Sequence, residues 1–495
     1  MLAFLEPLEE LADYQEIVRK RGKAEGILQI AGCVSSQKTH LMYALGDGFE
    51  YRVIVFSSEE KAKQAYEEYK MLEENTFLYP AKDLLFYHAD IKGAALTGKR
   101  MEVLKKLTEK KNREPVTVIT TADAFLDGLP SKEKLWESRI EIEAGAVIDF
   151  QKLQEELVHL GYERESQIEG PGQFAVRGGI LDVYPLTEEI PVRIELWGDE
   201  IDSIRSFDVE SQRSVENMEQ VVIYPATENV EKEEQAVSFA EYFPKEKSLF
   251  FFDEPVRLQE TLEAVEKEYF HSFESRKNAG MTEEADEIRV FQTKEIIEKF
   301  NTRYGIGLTT LETRCGGFKV RDVYSIQAAG VNPYNNSFEM LTQDLKKLKR
   351  QGYRVILVSG SRTRAKRLAE DLRDYDLSSF YSEDMVRTVR PGEIMVVYGC
   401  VAEGYEYPML KFMVISESDI FGKRKKKRRR KVYEGQKIQE FAELKPGDYV
   451  VHENHGLGVY QGIEKVEVDK VTRDYMKISY ADGGILYIPA TQMDL

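Results

Sequence analysis

Gly32-Cys33-Val34-Ser35-Ser36-Gln37-Lys38-Thr39 has the spacing of a loop that holds a phosphate. Such a loop needs a glycine at each end of its turn, a lysine for the phosphate charge and a hydroxyl for magnesium. Gly32, Lys38 and Thr39 meet three of these needs. Gln37 stands where the second glycine belongs, and that glycine would let backbone N–H groups curl close to the phosphates. A Cβ and a long amide there crowd the site. Asp253-Glu254 follows the apolar run Leu249–Phe252, in the manner of the strand-end acid that holds a metal ion. Two readings stand: a vestigial loop, favoured by Gln37, and a functioning ATP site.

A second constellation suits binding rather than catalysis. Val192, Ile194 and Leu196 alternate with Arg193, Glu195 and Trp197. Period two puts the first three on a core face and the second three outward. Arginine and tryptophan sharing an exposed face are typical anchors of a protein interface. Phe174-Ala-Val-Arg177-Gly-Gly179 precedes this strand and can pair with it. The competing reading has Trp197 capping a core edge and Arg193 simply pairing with Glu195.

A third feature is electrostatic. The chain carries a net charge of −18, which argues against a protein that coats nucleic acid. Against that background Lys423–Lys431 is an unbroken run of nine basic residues, including Lys423, Arg424, Arg428, Arg429 and Arg430. Like charges with nothing apolar between them do not pack. The run is either a solvated linker or a nonspecific contact to DNA phosphates. Cys33, Cys315 and Cys400 are far apart and form neither a metal-ligand spacing nor a disulfide framework. No metal site and no catalytic residue is expected, and a reducing cytoplasm fits.

The elements that must position these residues change character along the chain. With 495 residues the chain is too long for one core. No apolar stretch approaches the roughly 20 residues needed to span a bilayer, and the N-terminus does not read as a signal peptide. Residues 24–130 alternate strands (27–31, 53–56, 116–119) with helical patterns such as 59–72, the signature of a parallel sheet covered by helices. Asp149 can cap a helix with Leu153, Leu157 and Leu160 on one face, ended by Gly161. Short strands dominate residues 166–208. A further α/β unit follows, with strands at 353–359, 393–398 and 412–416 and a helix at 363–372. Residues 444–495 read as all-β, with a hairpin turn at Asp482-Gly483-Gly484.

The stretches Phe174–Pro185, Pro191–Ile201 and Ser206–Ser214 resemble the excision-repair protein UvrB and, more closely, the UvrB-like module of the bacterial transcription-repair coupling factors. Several glycine, proline and charged positions keep both identity and spacing. The damaged phosphate loop fits the same family, whose UvrB-like module has lost ATP binding; UvrB itself would carry an intact loop. UvrB also inserts a long aromatic hairpin that grips damaged DNA. Here Tyr79–Asp83 leads through Phe86-Tyr87-His88 almost directly into a helix expected at 100–107, which leaves no room for that hairpin. Residues 399–422 look like the remnant of a second helicase-type domain, with no arginine-finger motif after it. Lys445-Pro-Gly-Asp-Tyr-Val-Val-His-Glu-Asn-His-Gly-Leu-Gly458 resembles the start of the family's RNA polymerase interaction domain, a Tudor-like barrel shared with CarD-type regulators.

The resemblance implies a multidomain α/β protein: degenerate RecA/helicase-like parallel sheets, a small α+β UvrA-binding domain and a C-terminal all-β Tudor-like barrel. The implied boundaries are 1–130 (degenerate RecA-like), 131–210 (UvrA-binding), 211–320 (the remainder of the UvrB-like part), 321–422 (degenerate helicase-type), 423–443 (basic linker) and 444–495 (polymerase interaction). It implies the N-terminal half of a longer protein, a monomer whose DNA translocase motor, with its ATP and magnesium, lies outside this chain. Carried over by position, the UvrA contacts are Arg177, Arg193 and Trp197, and the contact to the polymerase β subunit centres on Val466, where the family has leucine. The implied function is an adaptor in transcription-coupled DNA repair with no ATPase or other cofactor of its own. The alternatives are a UvrB-like ATP-dependent repair protein and a CarD-type transcription regulator. The regulator resemblance covers only the last fifty or so residues.

Overall fold

The computed structural model describes residues 2–82, 94–109, 114–209, 211–228, 236–278, 289–383, 386–422, 446–452, 456–468, 471–480 and 484–489. Its largest sheet has seven strands, all parallel, in the spatial order Val320–Ser325, Gly26–Ala31, Tyr304–Thr309, Ser248–Asp253, Tyr51–Phe56, Val116–Thr121 and Thr76–Tyr79. The central strands are buried along their whole length, as expected when helices cover both faces. Phe250, Phe251 and Phe252 alternate between two apolar clusters, one on each side of the sheet.

Four of the seven strands come before residue 130 and three after residue 247. The chain between them forms a second unit. Its sheet runs Ser214–Met218, Glu200–Phe207, Val192–Trp197, Ile180–Val183, Gln173–Arg177, Glu163–Glu165. The helix Phe150–His159 packs one face of this sheet through Leu153 and Leu157. Its N-terminus is capped by the Asp149 carboxylate, which accepts from the N–H groups of Gln151 and Lys152, and Gly161 beyond its end adopts a φ of +87°. Ile140–Glu143 and Gln220–Ile223 pair antiparallel where the chain enters and leaves.

Two expected boundaries therefore fall inside units. Residue 210 precedes the edge strand Ser214–Met218 and the exit strand, both of which belong to the second unit. Residue 320 opens the strand Val320–Ser325, which completes the first sheet. A polar or short edge strand carries little apolar signal, so neither boundary stood out. The helix expected at 100–107 begins earlier, at Ala94, and runs to Thr108. Most of the short connection before it lies outside the described residues.

The third unit is a six-stranded sheet with a parallel core of Phe412–Ser416, Arg354–Ser359, Ile394–Tyr398 and Ser379–Ser382. Helices Phe338–Arg350 and Arg362–Arg373 flank it. It packs on the first unit: Val358, Val397, Tyr405 and Tyr407 share one apolar cluster with Leu28, Ile30 and Leu41. The last unit is an antiparallel sheet of Tyr449–His452, Gly456–Val468, Val471–Ser479 and Ile485–Pro489. Among the described residues its first and last strands do not pair with each other, and the turn expected at Asp482-Gly483 lies outside them. So does the basic run Lys423–Lys431. No helix among the described residues is long and apolar enough to cross a membrane.

Candidate functional site

The strand Val192–Trp197 turns its first apolar side chains inward and ends on an exposed tryptophan. Val192 and Ile194 are buried, Leu196 is partly so, and Trp197 is 84% exposed. Trp197 faces Glu200 across the two-residue turn Gly198-Asp199, and Gly198 takes a φ of +65° that suits glycine. The tryptophan thus ends a strand at a hairpin tip and caps no core.

Arg193 does not pair with Glu195. Glu195 takes a hydrogen bond from Ser203 Oγ (3.2 Å) and an ion pair from Arg205. Arg193 turns instead to Asp182, a carboxylate only 1% exposed on the neighbouring strand: Nε lies 2.7 Å from Oδ1 and Nη2 2.9 Å from Oδ2. Arg177 Nη2 donates to the same Oδ2 at 2.8 Å. The strand of Arg177 does not lie beside that of Arg193; the strand of Asp182 runs between them, with Asp182 opposite both Ala175 and Arg193. One buried acid therefore brings the two arginines together.

The arginines differ in exposure. The Arg177 side chain is half exposed, whereas that of Arg193 is mostly covered, with its guanidinium 4.3 Å from the Phe207 ring and Nη2 donating to Gln212 Oε1 at 2.9 Å. The sequence-level expectation of a uniformly exposed patch is corrected at Arg193, because a buried carboxylate must keep its partner close. Asp182, Phe207 and Gln212 were missed as members of this site. The signal for Asp182 was available: a lone acid inside the apolar strand Ile180-Leu-Asp-Val183.

The Gly32–Thr39 loop runs from a strand into a helix and is filled by its own side chains. Gly32 has a φ of +85°, and a Cβ there would come within 3.2 Å of Gln327. The loop leads from strand Gly26–Ala31 into helix Ser35–Leu45. Gln37 is fully buried, and its Oε1 accepts the Val34 N–H at 3.0 Å, capping the helix end with its own side chain. The Lys38 ammonium contacts Asp253 Oδ1 at 2.6 Å and Glu254 Oε1 at 2.7 Å, while Lys61 adds a contact to Asp253 Oδ2 at 3.1 Å. Burial works against the charged lysine, but the two carboxylates outweigh it and hold its pKa above the ordinary value. Glu254, at a φ of +53°, also accepts from Thr310 N and Oγ1.

Further carboxylates close the mouth. Ser36 Oγ donates to buried Glu68 at 2.7 Å, and Glu68 also accepts the Ala402 N–H at 3.0 Å from the third unit. Burial raises the pKa of Glu68. Ser35 bonds Glu403, whose own N–H donates to Ser36 Oγ at 3.2 Å. Thr39 is buried beside this network. Glu68 and Glu403 were not foreseen; they are remote in sequence and carry no motif. Among the described residues, no cluster of acidic, histidine or cysteine side chains is arranged to hold a metal ion.

Val466 lies on strand Gly456–Val468, opposite Arg473. This is the second strand of the last sheet.

Comparison with known proteins covers two regions of the chain. Residues 140–229 match the UvrB interaction domain, and residues 444–495 match the CarD-like/TRCF RID domain. The chain is 26% identical to the transcription-repair-coupling factor of Bacillus subtilis, over 98% of this chain and 46% of that protein. It is 28% identical to the transcription-repair-coupling factor of Staphylococcus aureus, over 85% of this chain and 40% of that protein. It thus spans less than half the length of these relatives. Two domain matches, joined by similarity along nearly the whole chain, make this chain similar to the transcription-repair-coupling factors over the part of their length that it spans.

Proposed function

We propose that this chain is an adaptor region in transcription-coupled DNA repair: it docks RNA polymerase through its last sheet and UvrA through its second unit. The observation that carries the UvrA reading is the arrangement on the second sheet. Arg177 and Arg193 converge on one buried acid, and Trp197 stands 84% exposed on the strand of Arg193. Guanidinium groups paired this way present carboxylate-binding edges, and an exposed tryptophan supplies the apolar anchor. The polymerase contact, on the β subunit, falls to strand Gly456–Val468 around Val466. Strand addition supplies backbone hydrogen bonds there, and the side chain supplies fit.

ATP-dependent translocation along DNA belongs, on this reading, to a motor outside this chain, where ATP and magnesium bind. What supports this over a working UvrB-like ATPase is the state of the phosphate loop: its lysine is paired, its helix end is capped by Gln37, and Glu68 and Glu403 line its mouth. A phosphate approaching that mouth meets like charge. The chain acts as a monomer in the cytoplasm. Titration of purified UvrA against the chain and against Trp197→Ala tests the UvrA reading. Loss of binding by the variant with unchanged folding is expected, and undiminished binding would move the surface elsewhere.

A further inference from the structure

We propose that Asp182 and Gln212 are positioning residues of the arginine–tryptophan surface, holding the Arg193 guanidinium rigid so that its remaining Nη1 group receives a carboxylate of the partner. The proposal rests on the UvrA reading above and adds how the surface achieves its fit.

A guanidinium offers five N–H donors in a fixed plane. Asp182 takes Nε and Nη2 side-on, Gln212 takes Nη2 again, and the Phe207 ring lies against the group. Together these contacts fix the plane and its rotation. Among the described contacts, Nη1 makes no hydrogen bond. An arginine on a surface usually spends rotamer freedom when it binds; one already fixed does not.

Gln212 shows that this fixation has been built at a cost. Its φ is +56°, in the left-handed region that side chains other than glycine rarely adopt. Its N–H donates to Asp208 O at 2.8 Å and its Nε2 to Val209 O at 2.8 Å, which leaves Oε1 turned to Arg193. Asp208 is itself held by Ser211, through both N–H and Oγ. A tight turn alone would be served better by glycine. The glutamine is explained by where its amide reaches.

The strain supplies the experiment. Gln212→Gly relieves the backbone and removes the amide, so stability and binding should move apart. Titration of purified UvrA should show affinity falling about tenfold, the value of one charge-assisted hydrogen bond, while the melting temperature holds or rises. Gln212→Asn, which tolerates the same backbone but falls short of Arg193, should behave alike. In an Arg193→Lys background the Gln212→Gly change should cost little, because its effect passes through the guanidinium. Unchanged affinity in Gln212→Gly, alongside lost binding in Trp197→Ala, would overturn the positioning role and leave the UvrA reading standing. A melting temperature that falls with the affinity would also overturn it, by making Gln212 merely structural. Unchanged affinity in Trp197→Ala would remove the UvrA reading and this proposal together.

Discussion

Lys38 and Asp253 meet at 2.6 Å across 215 positions of sequence, so the lysine that opens helix Ser35–Leu45 is bound to the acid that ends strand Ser248–Asp253. The pair is nearly dry: the Asp253 side chain is 3% exposed and that of Lys38 10%. An incoming triphosphate would have to break it and displace Gln37.

Nucleotide binding is therefore expected to be absent or weak, and restoring the glycine should not rescue it. Calorimetry with ATP and magnesium on the parent and on Gln37→Gly should show no micromolar binding, because Lys38 stays paired after the loop is cleared. Micromolar affinity in the parent would reject this account. Asp253→Ala should destabilise the fold by about 3 kcal/mol, since it leaves a buried lysine with one partner fewer. Denaturant unfolding measures that loss.

The two anchors of the proposed UvrA surface should respond differently. Trp197→Ala should change stability by no more than about 0.5 kcal/mol, as for most exposed positions. Arg193→Ala should cost about 2 kcal/mol, because Asp182 stays buried with only Arg177 to meet it. Thermal melts of both variants decide the point; equal stability would mean that Asp182 is satisfied without Arg193.

Acid should loosen the contact between the first and third units through His40. This imidazole is fully buried, its ring nitrogens 3.0 Å from Tyr407 Oη and 2.9 Å from Phe4 O, and burial pushes its pKa down to about 4. The unfolded chain takes up the proton near pH 6.5. The stabilising effect of a neutral His40 is thus fully present above pH 6.5 and lost as pH falls toward 4. The loss amounts to about 3 kcal/mol over that window. Urea midpoints at pH 7 and pH 4.5 should show it, and His40→Gln should flatten the difference. An unaltered slope in the variant would assign the acid sensitivity to other groups.

Polymerase capture should depend on the last sheet alone. A pull-down of the β subunit should be lost when residues 444–495 are removed and weakened by Val466→Arg, which puts a charge into the contact. Retention after the deletion would refute the assignment.

Much of this was legible in the sequence because it was periodic or local. Strands such as Tyr51–Phe56 and helices such as Phe150–His159 announced themselves by apolar spacing and a capping aspartate. Trp197 and Arg193 were found by period two. Asp182 was hidden because its role depends on two arginines meeting across neighbouring strands. Glu68 and Glu403 were hidden because they reach the loop from a different helix and a different unit. Such contacts are set by tertiary packing, which no local pattern records.

The seven-stranded sheet also dictates an order of events during synthesis. Val116–Thr121 and Ser248–Asp253, the latter's neighbour but one, emerge from the ribosome with the whole second unit between them. At roughly 5–20 residues per second, that separation is about ten seconds. The second unit, closed at its base by Ile140–Glu143 against Gln220–Ile223, has all its strands in hand before its host does. The nascent first sheet must wait, with its apolar strand edges unpaired, until Ser248–Asp253 and Tyr304–Thr309 arrive to fill its centre.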